Sequence, residues 1–299
     1  MLVAVLLWST GGLFIKLTSL DAYQVTFFRS LFAAVTVLII TRKDGLRINA
    51  FGVMCTLIYS TLLFLFVWAT KHTTAANAIF LQYTAPIYIL ILAPFVIGEK
   101  FHLRDLVTVI FCIAGMSLFF VGDLTIGETR GNIAALGSGI FLGLYIMLLK
   151  HPRFEGRQET RDKRRELSDA GLPSPVTRLP SPISTVIYGN FLLAVVTLPN
   201  GVAAIPTLTL SDFAAVAFLG IFQIGISYIL FIKGVQMGTR PLDASIIGFI
   251  EPLLNPVWVF LFVAERPSNW AVLGGIIIIA TVIVHTLAQY NSHAEARTK

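Results

Sequence analysis

The chain has 299 residues, 56% of them hydrophobic and only 13% charged, with a mean hydropathy of +0.81. This excludes a soluble globular domain, which needs far more charged surface. The formal charge of +6 is accordingly read loop by loop for membrane orientation, not as a nucleic-acid signal.

In chain order, apolar stretches of spanning length predict ten transmembrane helices near 1–17, 22–41, 50–70, 75–98, 104–122, 131–150, 183–200, 211–234, 242–264 and 269–289. The first is short, and Met1–Ile15 lacks a basic n-region and a clear small-residue cleavage site, so it reads as a retained helix. Cys55 and Cys112 lie inside apolar runs without metal-ligand spacing and read as small buried hydrophobes, with no metal expected. Pro199 and Pro206 soften the boundary of the seventh helix. The one long hydrophilic stretch, Pro152–Pro182, holds seven basic residues, five acidic residues and five prolines. It reads as a flexible linker between halves. Arg161–Glu166 within it could instead form a short helix on an anionic leaflet.

Lys and Arg set the orientation. One set of alternating loops holds Arg42, Lys43, Arg47, Lys100, Arg104, the run from Lys150 to Arg178, Lys233, Arg240, Arg297 and Lys299. The opposite loops hold Lys16, Lys71, Arg130 and Arg266. Seventeen against four predicts cytoplasmic N- and C-termini in the cell (inner) membrane. Five helices per half then force the halves into opposite orientations. A shift of 166 carries Thr73 to Thr239, Ala78 to Ala244, Pro86 to Pro252, Glu99 to Glu265 and Lys100 to Arg266. The expectation is an all-α integral membrane protein of two inverted five-helix repeats. The boundaries are 1–124 and 125–290, with 152–182 as a cytoplasmic linker loop and 291–299 as a cytoplasmic tail.

Glu251 and Pro252 stand out within the second repeat. Ala244–Ala264 carries no other charge. A helix entering from Asp243 at ~1.5 Å per residue puts the carboxylate about 12 Å deep, near the middle of a core of roughly 30 Å. An ionisable group there costs at least ~2.5–3.5 kcal/mol to insert, so it faces a polar interior. Pro252 has no N–H and frees the carbonyl of Gly248. Pro86 and Pro252 are thus predicted hinges. Gln82 and Glu251 each lie within a turn of one of these prolines, with Gln223 and Tyr59 at similar depth. Together with Trp8, Tyr83, Tyr145, Tyr228 and Asn255 they form the predicted substrate-binding set, since convergent polar and aromatic groups suit an amphipathic small molecule. Interhelical hydrogen bonding is the plainer alternative for each. Arg29 could bind an anion or cap carbonyls. His285 reads as an interfacial histidine near the cytoplasmic end, and a proton carrier is the sharper alternative. Gly139 and Gly143 make a small-residue face for close helix packing. Glu99 and Glu265 close their helices against the macrodipole, each followed by a base, as boundary markers or as gate ion pairs.

The pattern Glu251-Pro252 followed by Glu265, with Pro86 followed by Glu99, resembles the drug/metabolite transporter superfamily, and its EamA-type ten-helix members in particular. Leu7-Trp8-Ser9 through Lys16 and Phe28-Arg29 look like the family's first-repeat pattern. The resemblance covers nearly the whole chain and implies a cofactor-free carrier with a central cavity, exporting amino acids or related metabolites. Ala85-Pro86 stands where the second repeat has Glu251-Pro252, so a carboxylate role is asymmetric.

The function expected is therefore a secondary transporter, an exporter of small metabolites such as amino acids, working by alternating access. A carrier for amphipathic drugs or cations is the alternative. An intramembrane enzyme finds little support: there is no H-E-x-x-H, no pair of membrane aspartates, and Leu136-Gly137-Ser138-Gly139 lacks the first glycine of a serine-protease motif. A channel would need rings of charge or a repeated filter, and direct ATP coupling a phosphate loop. The partners expected are a small-molecule substrate, the lipid bilayer and, at Glu251, protons. The sequence leaves a homodimer open, and nucleic acid is not expected.

Overall fold

The computed structural model describes residues 1–42, 46, 48–119, 128–154, 181–263 and 269–298, and every regular element among them is helical. An apolar chain must satisfy its own backbone inside lipid, which leaves helices as the local solution for this sequence. The helices are α1 (Leu2–Trp8), α2 (Gly11–Leu17), α3 (Ala22–Thr41), α4 (Ala50–His72), α5 (Ala75–Gln82), α6 (Ala85–Val96), α7 (Leu103–Phe119) and α8 (Thr129–Leu148). They are followed by α9 (Pro182–Val196), α10 (Leu198–Ala204), α11 (Leu210–Phe218), a π-helical stretch Leu219–Ile226, α12 (Ser227–Gln236), α13 (Pro241–Gly248), α14 (Ile250–Val263) and α15 (Asn269–Thr298).

Among the described residues, five helical stretches are long and apolar enough to cross a membrane: Ala22–Thr41, Ala50–His72, Asn77–Val96, Thr129–Leu148 and Leu210–Gln236. The pair Pro182–Val196 and Leu198–Thr207, bent by 66°, makes a sixth if it is one span. Ten spans were expected, and several of the others are interrupted or short for physical reasons. The stretch 1–17 divides at Ser9 and Thr10, whose hydroxyls donate to Leu6 O and Leu7 O at 2.7 Å each. Pro199 lies in the first turn of α10, where its missing N–H has no helical partner to lose.

The two breaks that matter most are those between α5 and α6 and between α13 and α14. Adding 166 to the bounds of α5, 75 and 82, gives 241 and 248, the bounds of α13. Pro86 and Pro252, the expected hinges, each fall in the first turn of a second helical segment, after an interruption at Tyr83–Thr84 and at Phe249. A proline in a first turn leaves no N–H unpaired, so the break is stable as it stands.

Small residues let the bundle close on these breaks. A Cβ on Gly139 would lie 2.8 Å from Gln82 O and 2.9 Å from Leu81 O, and one on Gly143 would lie 2.9 Å from Ala85 O. The small-residue face of α8 therefore rests directly on the exposed backbone between α5 and α6. Cys55 and Cys112 are buried free thiols, in line with the reading as small hydrophobes. The start of the 152–182 loop docks rather than floats: Phe154 is buried against Phe51, with ring centroids 5.0 Å apart. Arg161–Glu166 and the rest of 155–180 lie outside the described residues.

Candidate functional site

A cavity of ≈ 40 Å³ sits where the two broken helices meet. Its wall takes Trp8 from α1, Arg29 from α3, Leu62, Leu63 and Phe66 from α4, and Gln82 and Tyr83 from the α5–α6 break. Leu142 of α8, Gln223 and Ile224 of the π stretch, Tyr228 of α12 and Glu251 of α14 complete it. At roughly 10–15 Å³ per water-sized sphere this is room for about three waters. The conformation is thus contracted around the cavity.

Glu251 is buried, and the Tyr83 hydroxyl donates to its Oε2 at 2.7 Å. The bond joins the two breaks directly. Tyr83 also packs on the other break through Phe249, its centroid 5.3 Å away, and a Cβ on Gly248 would come within 3.1 Å of the Tyr83 ring. Tyr83 and Phe249 are themselves 166 residues apart, so equivalent positions of the proposed repeats touch at the centre.

Opposing Glu251 in charge is Arg29, with 0% exposure. Its Nη2 donates to Leu63 O at 3.3 Å, and Nε and Nη1 have no hydrogen-bond partner among the described residues. Burying a guanidinium costs on the order of several kcal/mol unless hydrogen bonds and charge compensate it. Among the described residues its one hydrogen bond is the long one to the Leu63 carbonyl. Trp8 Nε1 and Gln223 Oε1, on the same wall, also have no hydrogen-bond partner among the described residues. Buried polar atoms are almost always paired, so four orphans around one cavity mark a surface shaped to receive polar groups. The π-helical turn holds Gln223, and Gly11 lets it reach the wall: a Cβ there would lie 2.6 Å from Gln223 Nε2.

Six of the predicted binding residues line this cavity: Trp8, Gln82, Tyr83, Gln223, Tyr228 and Glu251. Gln82 reaches away from it as well, donating to Ser138 Oγ at 2.7 Å, and Ser138 donates on to Leu62 O. Tyr59 and Tyr145 stand behind the wall. Tyr59 packs edge-on against Tyr228 at 5.0 Å, beside Tyr145 at 5.0 Å, and accepts a hydrogen bond from Asn190 Nδ2 at 3.0 Å. Tyr145 OH is 2.8 Å from Thr185 Oγ1. These two tyrosines support Tyr228 and do not face the cavity. The side chain of Asn255 lies outside the described residues, as do Glu265 and Arg266. Sequence reasoning left Arg29 out of the binding set. Its position in an otherwise apolar helix was the available signal, and only packing shows that the guanidinium turns inward.

A second polar cluster lies at the far end of α6 and α13. Arg240 donates through Nε to Glu99 Oε1 and through Nη2 to Asp105 Oδ2 at 2.7 Å, with Asp243 Oδ1 3.9 Å from Nη1. Burial alone would lower the Arg240 pKa, but the bonds to Asp105 and Glu99 and the Asp243 charge outweigh it and hold it above the ordinary arginine value. Such a group gives its full stabilisation below its unfolded pKa and loses it only as pH rises through the higher folded one. The cation therefore persists across the working range. Glu99 thus pairs with Arg240. His285 joins this cluster: it is buried, with Nε2 2.9 Å from Asp243 Oδ1 and Nδ1 3.1 Å from Thr108 Oγ1.

Two comparisons with individual known proteins agree in kind. The chain is 26% identical over 168 residues to human solute carrier family 35 member G1, a match spanning 50% of this chain and 46% of that one. It is 24% identical to an uncharacterized transporter of Archaeoglobus fulgidus over 94% of this chain and 93% of the relative. A solved crystal structure superposes with a TM-score of 0.71 over 95% of each chain at 17% identity, which speaks to the fold alone. The EamA-like transporter family matches residues 1–121 and 176–287, most of the chain, in two stretches separated by 122–175. The chain is a multi-pass, all-α membrane protein that belongs to the EamA-like transporter family.

Proposed function

We propose that this transporter is a secondary exporter of small zwitterionic metabolites such as amino acids, and that it works by alternating access. In this reading ten spans form two inverted repeats, 1–124 and 125–290, with both termini and the 152–182 loop cytoplasmic at the cell (inner) membrane. The observation that carries the substrate class is that Arg29 and Glu251 both line one cavity. A carboxylate would satisfy Arg29 Nε and Nη1. An ammonium would find Glu251, and an apolar side chain would pack on Phe66, Tyr228 and Trp8. A cavity lined by both charges favours a ligand that carries both. Amphipathic cations are the competing substrate class, and a buried guanidinium on the same wall repels them.

The α5–α6 and α13–α14 breaks supply the joints, with Pro86 and Pro252 fixing the start of each second half-helix. No step calls for a cofactor, and a proton on Glu251 is the coupling ion of this proposal. Ionised, Glu251 holds the ammonium. Protonated, it keeps the Tyr83 bond and lets the substrate go.

Flux into proteoliposomes with a panel of amino acids, their decarboxylated amines, N-acyl amino acids and amphipathic cations tests the reading. Transport of the zwitterions in preference to either singly charged series is the expected result. Glu251→Gln keeps the shape and removes the charge, so flux should fall at unchanged folded yield. Wild-type flux with an unchanged pH profile in that variant would make the carboxylate structural.

A further inference from the structure

The Arg240 cluster lies outside the cavity, and its position relative to α6 and α13 gives it a use. α6 and α13 pack against one another. Their cavity ends carry the α5–α6 and α13–α14 breaks. Their other ends carry Glu99, just past α6, and Arg240, the N-cap of α13. At ~1.5 Å per residue the twelve residues of α6 span about 18 Å between those ends. Ile89, Leu90, Ala93 and Leu242 fill the space between, lining a gap of ≈ 10 Å³ below Arg240. Polar bonds cross the α6–α13 seam at this end from Arg240 to Glu99, with Asp105 of the adjoining α7 on the same guanidinium.

The cluster also leaves two carboxylate oxygens without a hydrogen bond among the described residues. One guanidinium faces Glu99, Asp105 and Asp243, and Glu99 Oε2 and Asp105 Oδ1 are buried without a hydrogen-bond partner among the described residues. Lys100 lines the gap beside them, and His102 Nδ1 lies 3.7 Å from Asp105 Oδ2. Asp105 and Asp243 sit in the first turns of α7 and α13, where the helix dipole stabilises a carboxylate whether or not Arg240 is bound. A cluster with those properties can exist with its arginine engaged or released. A structural ion pair has less reason to leave two carboxylate oxygens unsatisfied.

We infer that Arg240 is the gate residue of this face: engaged with Glu99 and Asp105 it pins α13 to α6 and seals the cavity, and its release opens the cavity toward Lys100, Arg104 and Lys233. The inference rests on the alternating-access reading above. It assigns the present conformation, in which both bonds are made, to the state closed on that face.

The test needs no substrate. In a Cys55→Ala, Cys112→Ala background, Leu142→Cys puts a thiol on the cavity wall, and its rate of labelling by a membrane-impermeant maleimide is read in vesicles of each orientation. From the Arg240 face, Arg240→Gln is expected to speed labelling at least tenfold, with Arg240→Lys intermediate because it keeps the charge and loses the two-pronged geometry. Conversely, Glu99→Cys with Arg240→Cys, joined by a short bifunctional thiol reagent before the maleimide is added, should stop labelling from that face and leave the other unchanged. Equal labelling rates in the parent and in Arg240→Gln, or a joined pair that still labels from that face, would overturn the gate. If the wall thiol labels from neither face in any variant, the alternating-access reading falls and the gate falls with it. If it labels from both faces at rates indifferent to Arg240, the gate alone is lost. The joined pair keeps the test open should Arg240→Gln fold poorly.

Discussion

The two ends of the bundle are closed in different ways. At the Arg240 end, a guanidinium and three carboxylates meet through side chains, with His285 and Thr108 extending the chain of bonds. At the opposite end the charged side chains turn to backbone: Lys16 Nζ donates to Thr73 O at 2.8 Å and Lys71 Nζ to Thr18 O at 2.9 Å. Around them, Asn77 Nδ2 donates to Thr73 Oγ1 and to Asn132 Oδ1, and Ser19 donates to Asp212 through both its N–H and its hydroxyl. Helix-terminal carbonyls lack intrahelical partners, so a lysine there replaces a missing donor. The lesson is one of sensitivity. Charge–charge bonds respond to the loss of one partner and to salt. Charge–carbonyl and amide bonds are shorter-range and respond less.

The largest expected effect breaks the ionic end. Arg240→Ala leaves Asp105 buried without its cation and should cost about 3 kcal/mol of stability, seen as a large drop in thermal unfolding temperature in detergent. Next comes the polar network opposite it. Asn77→Ala removes a buried amide bound to two neighbours and should cost about 1–2 kcal/mol by the same measurement. Lys16→Met should cost less, about 1 kcal/mol or below, because water can reach the freed carbonyl. If Arg240→Ala proved no worse than Lys16→Met, the contrast between the ends would collapse. The smallest effect sharpens it: raising salt from low to physiological levels should lower the unfolding temperature of the wild type slightly and that of Arg240→Ala less, since the screened pair is already gone. A salt response identical in the two proteins would place the salt-sensitive charges elsewhere.

Placement within the chain explains what was legible beforehand. Glu251 was visible because an isolated carboxylate in a run of apolar residues has no cheap reason to be there. Gly139 and Gly143 were visible because small residues at a spacing of four share one helix face. Arg29 was visible as an oddity, but its meaning was not: a guanidinium on a long stem can turn to lipid headgroups or to the interior, and the sequence does not fix the rotamer. The partners of His285 were hidden for a similar reason. Its neighbours Asp243 and Thr108 are 42 and 177 residues away, and no local pattern reports such distances. Glu99 was legible only as a boundary marker or a gate ion pair, and the geometry alone gives its partner, Arg240, 141 residues on.

By itself the sequence determined the class of environment, the helical content, the 166-residue correspondence and the acidic centre of the second half. Each follows from local rules: hydropathy selects the solvent, lipid forbids unpaired backbone, and an unaccompanied charge in an apolar run must face inward. Only the tertiary structure decided that Pro86 and Pro252 sit in the first turns of half-helices, and that Tyr83 donates a hydrogen bond to Glu251 across the two breaks. It likewise decided that Tyr59 and Tyr145 lie one layer behind the wall and that Arg29 completes it. Those are questions of which side chains from distant helices share a volume of a few tens of cubic ångströms. Close packing of the whole bundle answers them, because each wall position is set by the helices behind it.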